Sequence, residues 1–453
     1  MFSPNSPVYE GATLLFPMGP GVLLPYEYTG VSDEIQASKT SAWVGTALTT
    51  SSPTYDVKGP DVVKFFNSVC VNDFSTLSEN GIRHAIICNE KGQILTDSVV
   101  HKIAPDCIRT YWLNPVLDWL VQKSGMNIEG TNMAGKLFFI QVQGEKSLEI
   151  IEAACKTDFH DLKFGAHRMT KLVGKDVRIL RMGMTGNLAY EVHGNIQDFD
   201  DVYRKIWEAG KILGARKLGF RTYNLFNHTE AGFPNIHLHY PLPWYETPGL
   251  AGYLQDKPML GFMNLNRRLW GSVGNDLECR FVTPYDNGWG SRVKFNHEFM
   301  GRAALEKISK KPPRKIVTLE WNADDVGSVF ATQLKGSNEV CEKIEVASDV
   351  AFQENMIGGP GEGYIYRADK VLYDGKWIGI STGRIISYYY HTMISLGYVE
   401  PEYAIEGKEL TLIWGTPGTP QREIRVKVAR YPYLDPKFIR NEDRDVSDIP
   451  RFH

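Results

Sequence analysis

The chain has 453 residues, of which 43% are hydrophobic, 12% aromatic and 23% charged, a composition that excludes a disordered, collagen-like or coiled-coil protein. Its 50 basic and 53 acidic side chains give a formal net charge of −3, so no global positive field would attract nucleic acid or anionic lipid. Six scattered cysteines without CxxC spacing favour reduced thiols, and we expect a cytoplasmic protein without a membrane span.

The first half of the chain predicts helices that alternate with antiparallel strands. Runs with helical or strand spacing of apolar residues follow one another: helices at 32–48, 60–71, 116–125, 146–155 and 198–214, and strands at 84–90, 93–103, 108–114, 136–144, 177–183 and 188–194. This alternation predicts an α+β fold rather than a doubly wound sheet.

The second half changes character at two places. Residues 221–248 are rich in Pro, His, Asn and aromatic side chains and show no period, which predicts a long structureless connection that carries active-site groups. The segment 307–314, with the sequence KISKKPPR, predicts a linker. Beyond it, short strands at regular spacing predict a small β-barrel-like domain.

Two other motifs indicate little chemistry. The glycine-rich stretch 358–363 lacks the strand, the helix and the Lys-Ser/Thr of a phosphate loop, and we interpret it as a surface loop. His237 and His239 could be two metal ligands on one strand face, but no third ligand with a recognisable spacing accompanies them. We therefore predict no metal site.

Two carboxylates occur inside apolar strands. Asp97 follows Ile-Leu-Thr, and Glu191 lies in Leu-Ala-Tyr-Glu-Val. A buried carboxylate is costly unless it is hydrogen-bonded or paired, and it is therefore a candidate functional group. The alternative is an outward-facing position on an antiparallel strand, which periodicity alone does not exclude.

A set of tyrosines lies in irregular segments flanked by proline, where a phenol is either an apolar wall or a proton donor. The set is Tyr26, Tyr28, Tyr240 and Tyr245. A wall is the default interpretation.

Five motifs occur in one order along the chain: Lys-Gly-Gln-Ile-Leu-Thr-Asp at 91–97, Met-Thr-Gly-Asn through Tyr-Glu-Val at 184–192, Glu-Ala-Gly at 230–232, Gly-Trp-Gly through Gly-Arg-Ala-Ala-Leu at 288–305, and Gly-Tyr-Val through Tyr at 397–403. Together they resemble the glycine-cleavage T-protein (aminomethyltransferase) family, and more closely its tetrahydrofolate-dependent aryl O-demethylase branch. The resemblance covers most of the chain.

The resemblance implies a three-domain cloverleaf whose first two domains are interleaved along the chain. The implied limits are 1–57 with 137–235 for a folate-binding domain, 58–136 with 236–306 for a second α+β domain, and 307–453 for a C-terminal β-barrel.

The resemblance also implies tetrahydrofolate as the cofactor. The acid of the family's Tyr-Glu-Ile strand binds the pterin, which assigns that role to Glu191, and a carboxylate can accept two parallel N–H bonds from such a ring edge. The family's acidic pair near the reactive nitrogens is here Thr96 and Asp97, so one acid remains. Further candidate cofactor contacts are Asn114, Tyr190 and Arg221.

The demethylase branch carries a tyrosine after Pro-Leu-Pro, which the resemblance places at Tyr245. A second tyrosine near the N-terminus matches Tyr26 or Tyr28. A phenoxide is a poor leaving group from carbon, so proton donation or hydrogen bonding to the ether oxygen must accompany attack by folate N5. His237 or His239 could serve instead.

We therefore expect a transferase that removes a methyl or methylenedioxy carbon from an aromatic ether, with Asp97 managing the N10 proton in methylene transfer. One alternative is an aminomethyltransferase that works with a lipoyl-protein partner, and Thr96 counts against it. The other is a non-catalytic folate-binding regulator or an iron–sulfur assembly factor of the same fold. Such assembly factors carry a Lys-Gly-Cys-Tyr motif that this sequence lacks.

Overall fold

The structure is a computed structural model that describes residues 5–19, 22–45, 53–183, 185–223, 225–257, 267–336, 339–344 and 365–452. The glycine-rich stretch 358–363, interpreted above as a surface loop, lies outside these residues. Within the described ranges, every helix is too short or too polar to cross a lipid bilayer.

The strands are β1 (Leu14–Gly19), β2 (Val22–Glu27), β3 (Trp43–Gly45), β4 (Thr54–Lys58), β5 (Ile82–Cys88), β6 (Ile94–Ala104), β7 (Cys107–Tyr111), β8 (Glu129–Asn132), β9 (Leu137–Gln143), β10 (His167–Leu172), β11 (Lys175–Leu180), β12 (Ala189–Asn195), β13 (Arg216–Leu218), β14 (Arg268–Trp270), β15 (Lys315–Trp321), β16 (Ile365–Arg367), β17 (Asp369–Tyr373), β18 (Lys376–Ser387), β19 (Thr392–Val399), β20 (Glu409–Trp414) and β21 (Arg422–Ala429). The α-helices are α1 (Val31–Thr40), α2 (Val62–Val69), α3 (Val116–Lys123), α4 (Ser147–Cys155), α5 (Phe199–Ile212), α6 (Phe220–Tyr223), α7 (Leu225–Glu230), α8 (Pro248–Gln255), α9 (Arg302–Lys310) and α10 (Ala323–Thr332).

Two larger sheets and a barrel organise most of the strands, while β1 pairs with β2 and β14 pairs with β16 in two-stranded sheets. The first sheet has six strands in the order β10-β11-β12-β9-β3-β13, and the second has five in the order β5-β6-β7-β4-β8. Strands β15, β19, β18, β17, β20 and β21 close the barrel. The predicted α+β class and the predicted C-terminal barrel are thereby confirmed.

The predicted helical spacing corresponds to a buried face. In α2, Val62, Phe65, Phe66 and Val69 are all buried, which is the apolar stripe of an amphipathic helix.

In the six-stranded sheet, α4 packs against β9 and β12 on one face. The opposite face of those strands meets the five-stranded sheet, where the Tyr111 hydroxyl lies 2.9 Å from His193 Nδ1.

The Glu-Ala-Gly motif joins three parts of the chain. Glu230, at the end of α7, accepts a hydrogen bond from Lys39 of α1 at 2.5 Å and another from the Ser387 hydroxyl of β18 at 2.6 Å. All three residues are buried, so this ion pair and its hydroxyl partner hold the barrel against the N-terminal helices.

Some sequence expectations differ from the structure. The segment 221–248 is not structureless throughout, because α6 ends and α7 begins within it. The predicted linker at 307–314 begins inside α9, whose apolar face buries Leu305. Strand β4 pairs within the five-stranded sheet although the predicted domain limit fell at residue 57. The domain limits themselves stay a prediction.

Candidate active site between two sheets

Two nearly buried carboxylates lie on strands of the two facing sheets. Asp97 is on β6 and is 6% exposed, while Glu191 is on β12 and is 5% exposed. Beside Glu191, Tyr111 of the five-stranded sheet and His193 of the six-stranded sheet make a hydrogen bond between the two sheets. Each carboxylate is the centre of a separate hydrogen-bonded cluster.

The Glu191 cluster is built from neighbouring strands. Gln141 is directly opposite Glu191 in the β9–β12 register and donates from Nε2 to Glu191 Oε1 at 2.9 Å. His193, two residues along β12 and so on the same face, donates from Nε2 to Glu191 Oε2 at 2.8 Å. The Gln141 amide also donates to the Tyr223 hydroxyl at 3.1 Å.

Its partners define the protonation state of His193. The Glu191 carboxylate can only accept, so His193 Nε2 carries a proton that points at it, and Nδ1 of the neutral ring accepts from the Tyr111 hydroxyl. Burial lowers the pKa of His193, which agrees with a neutral ring. Gln141 Oε1 is buried and has no hydrogen-bond partner among the described residues. An acceptor is therefore available beside the Glu191 carboxylate.

The Asp97 cluster gathers residues from distant parts of the sequence. The Tyr240 hydroxyl donates to Asp97 Oδ1 at 2.8 Å, and His84 Nε2 lies 2.7 Å from Asp97 Oδ2. Arg292 donates to the other ring nitrogen, His84 Nδ1. Burial and the nearby Asp97 charge raise the pKa of Tyr240 well above its ordinary value. In the part of the chain that the structure describes, Asp97 thus has one hydrogen-bond partner on each carboxylate oxygen.

Thr96 does not extend this cluster. Its hydroxyl donates to the Trp112 carbonyl at 3.1 Å, and successive residues of a strand face opposite ways. Thr96, which replaces the family's second acid, therefore has its hydroxyl hydrogen-bonded to the backbone just after β7.

The N-terminal tyrosines lie in a different environment. Tyr28 donates its hydroxyl to the Val8 carbonyl at 2.6 Å, and burial raises its pKa well above the ordinary value. Tyr26 is buried and stacks on Phe16 with 5.5 Å between ring centroids. These contacts belong to the core around β2, and the catalytic role predicted for either residue stays a prediction.

The two histidines of the HxH motif do not face one site. His237 has φ 65°, a left-handed backbone conformation that breaks the alternation of an extended strand. Its Nδ1 lies 3.1 Å from the Tyr366 hydroxyl, whereas His239 Nε2 lies 3.1 Å from Thr229 Oγ1. Burial lowers the pKa of both rings to about 3. His239 Nδ1 also accepts from the Asn235 amide at 3.0 Å, so both of its nitrogens are occupied.

Tyr245 and Arg221 lie nearer the protein surface. Tyr245 is half-buried, burial raises its pKa and the nearby Arg267 opposes that shift. Arg221 of α6 forms an ion pair with Glu27 of β2 at 2.7 Å.

Asn114 and Tyr190, the remaining predicted cofactor contacts, make contacts that support the fold. The Asn114 side chain accepts from the Asp118 amide at 3.2 Å and so caps the first turn of α3. Tyr190 is fully buried among core residues and faces the side of β12 opposite to Glu191. Their roles in binding a cofactor stay predictions.

Sequence reasoning missed several members of both clusters: His84, Gln141, His193, Tyr240 as a partner of Asp97, and Arg292. Some signal was present, because His84 and His193 are polar residues in apolar strands. His193 is two positions from Glu191, which is the spacing that places two side chains on one strand face. Arg292 gave no local signal.

Comparisons with known proteins agree with this architecture. A family model described as the GCVT N-terminal domain matches residues 14–238. The sesamin methylene transferase of Sinomonas sp. (strain No.22) is 50% identical over 431 residues, which cover 94% of each chain. The syringate O-demethylase of Sphingobium sp. is 27% identical over 91% of this chain and 90% of its own length.

A solved structure shows the same fold. The glycine cleavage system aminomethyltransferase T from Bartonella henselae matches with a TM-score of 0.65 and 17% identity over 96% of both chains. The family resemblance, the fold and the prediction of a transferase enzyme are confirmed by these relatives.

Proposed function

This chain belongs to the glycine-cleavage T-protein family, and we propose that it transfers one carbon from an aromatic ether to tetrahydrofolate. The observation that carries the proposal is the 50% identity with a sesamin methylene transferase over 94% of both chains. We favour a methylenedioxy donor, which would yield a catechol and 5,10-methylene-tetrahydrofolate. A methoxy donor would yield a phenol and 5-methyl-tetrahydrofolate.

The Glu191 cluster fits the pterin of tetrahydrofolate. A pterin presents parallel N–H donors along its amino-pyrimidine edge, and Glu191 together with Gln141 Oε1 offers adjacent acceptors. Among the described residues, each Glu191 oxygen accepts one hydrogen bond and keeps a further lone pair. Glu191 and Gln141 would therefore hold the ring, and tetrahydrofolate would supply the nitrogen nucleophiles that accept the carbon.

Asp97, which lies on the facing sheet, would accept and return protons during the transfer. Transfer of a methylenedioxy carbon moves two protons from nitrogen to the two oxygens of the catechol, and a fixed carboxylate can accept and return a proton in such steps. Its two partners, Tyr240 and His84, hold both oxygens in one orientation. Pre-orientation of this kind contributes directly to rate.

The group that protonates the departing oxygen stays open among the predicted residues. His239 has both nitrogens occupied and Tyr28 donates to a backbone carbonyl, which makes them weaker candidates. Tyr245 is half-buried and belongs to the same irregular segment as Tyr240. We retain Tyr245 as the proton donor and assign Tyr240, whose hydroxyl already donates to Asp97, to the orientation of that carboxylate.

The test is an anaerobic incubation of the protein with tetrahydrofolate and either sesamin or syringate, followed by mass analysis of the folate and the aromatic product. We expect a catechol with 5,10-methylene-tetrahydrofolate from sesamin, above a control without enzyme. Formation of 5-methyl-tetrahydrofolate from syringate alone would instead assign O-demethylation.

Two outcomes would overturn the proposal. Aminomethyl transfer from a lipoylated carrier protein, with no reaction of either ether, would make the chain an aminomethyltransferase. Binding of tetrahydrofolate without turnover of any donor would make it a folate-binding regulator.

A further inference from the structure

Given the proposed function, on which this inference rests, we propose that His84 is a positioning residue that Arg292 holds in one tautomer and that fixes the Asp97 carboxylate. His84 lies opposite Val99 in the β5–β6 register, so Asp97 is its diagonal neighbour on the same face of the sheet. The side chain reaches across this diagonal to Asp97 Oδ2 at 2.7 Å.

Arg292 determines which ring nitrogen carries the proton. A guanidinium can only donate hydrogen bonds, and it contacts His84 Nδ1, so that nitrogen must offer its lone pair. The proton is then on Nε2, the nitrogen that faces Asp97. A histidine whose second nitrogen is held in this way presents one orientation and one tautomer to its carboxylate partner.

Aromatic side chains confine the ring. The edge of His84 meets Trp289 with 4.7 Å between centroids, and Phe233 lies 5.4 Å away. The Arg292 guanidinium lies over the same two rings, at 5.6 Å from Trp289 and 5.7 Å from Phe233. The His84 side chain is 10% exposed, so water has little access to compete for its hydrogen bonds.

The charges around the pair agree with a neutral ring. Burial lowers the pKa of His84, Asp97 opposes that shift, and Arg292 adds to it. The pKa of Arg292 is in turn shifted electrostatically by ionisable groups of the C-terminal segment, namely Glu442, Arg440 and Tyr431.

The kinetic test compares His84→Leu with His84→Gln. The leucine variant removes both hydrogen bonds, and we expect kcat to fall by about 100-fold, the effect of a misplaced reacting group, while the dissociation constant of tetrahydrofolate changes by less than about twofold. Glutamine keeps an N–H near the position of Nε2 and should restore most of kcat. His297→Gln, at a half-buried histidine that contacts the Asn67 carbonyl, serves as the matched control. Equal kcat in the leucine variant and the wild type would overturn the assignment.

A second measurement does not depend on turnover. Nitrogen-15 NMR of labelled histidine should show His84 as a neutral ring protonated on Nε2, and Arg292→Met should abolish that single tautomer and raise the pKa of the ring. A proton on Nδ1 in the wild type, or no change in the methionine variant, would overturn the inference. An inactive wild type with the expected tautomer would instead contradict the proposed function.

Discussion

The two carboxylate clusters use a similar pairing and are assembled in different ways. Glu191 and Asp97 each contact a histidine Nε2, at 2.8 and 2.7 Å respectively. His193 is on the same strand as Glu191, whereas the second partner of Asp97, Tyr240, is 143 residues away along the chain. The partners of Glu191 thus come from β9 and β12, two adjacent strands of one sheet, whereas the proposed proton-handling cluster also needs Tyr240 from a segment outside both sheets.

The outer partner of each histidine also differs. A neutral phenol, Tyr111, supports His193, whereas a cation, Arg292, supports His84. Both leave the ring proton on Nε2. The positive charge that disfavours a charged imidazole comes from the hydrogen-bond partner Arg292 at His84, and at His193 from Arg109 and Arg178, neither of which is its outer partner. We interpret the Tyr111–His193 pair as a support for folate binding and the Arg292–His84 pair as a support for the chemical step.

The substitution that should distinguish the roles of the two clusters most strongly is Asp97→Asn. The amide keeps the volume and still accepts from His84, but it cannot take up a proton. We expect kcat to fall by roughly 1000-fold, within the range for loss of a general acid–base group, with little change in tetrahydrofolate affinity. Single-turnover kinetics and a binding titration check this, with Asp161→Asn at an exposed ion pair as the control. Retention of full kcat would remove Asp97 from the reaction.

Glu191→Gln should act on binding instead. The variant loses charge-assisted hydrogen bonds to the pterin, about 1.5–3 kcal/mol, so the dissociation constant of tetrahydrofolate should rise by roughly 10- to 150-fold. At saturating folate, kcat should stay within a few-fold of the wild type. Calorimetric titration measures the affinity, with Glu298→Gln at a mostly exposed residue as the control. A large loss of kcat with unchanged affinity would reverse the two assignments.

Tyr240→Phe and Tyr245→Phe form a matched pair on one segment. The first removes a hydrogen bond to Asp97, and we expect kcat to fall by about tenfold, the effect of one hydrogen bond to a charged group. The second should leave folate affinity intact and lower turnover if Tyr245 donates the proton. Unchanged turnover in Tyr245→Phe would exclude that role, and unchanged turnover in Tyr240→Phe would show that His84 alone suffices to orient Asp97.

The smallest expected effect is on stability in acid. Burial lowers the pKa of His228 to about 4 and that of His237 and His239 to about 3, below the value of about 6.5 in an unfolded chain. The unfolded state therefore binds more protons between about pH 4 and 6.5, so stability falls as the pH is lowered through this window.

His239→Gln should remove part of this dependence. The urea midpoint of the variant should fall less between pH 7.5 and pH 5 than that of the wild type, with His297→Gln as a half-buried control. An equal loss in both proteins would show that His239 does not contribute.

Local patterns predicted the parts of this molecule whose interactions are near in sequence. The apolar spacing of α2 and the carboxylates inside β6 and β12 were visible, because a helix or strand buries side chains at a fixed period. The same period could have placed Tyr190 and Glu191 on opposite faces of β12, and His84 near Asp97 across the β5–β6 hairpin.

The rest depended on backbone geometry and on long-range contacts. The HxH motif suggested two rings on one face, but the left-handed conformation of His237 turns them towards different partners. Tyr240 and Arg292 reach Asp97 and His84 only through the packing of segments that no local period relates. The short helices α6 and α7 were missed because aromatic and polar residues hide a period over so few positions.

The most direct test of the central claim follows the transferred carbon itself. A methylenedioxy donor labelled with carbon-13 at the bridging position is incubated anaerobically with the enzyme, tetrahydrofolate and an excess of a formaldehyde trap such as dimedone. We predict that the label appears in 5,10-methylene-tetrahydrofolate despite the trap, at an initial rate equal to that of catechol formation. Label that is captured by the trap, or that never reaches the folate, would contradict direct transfer between the two substrates.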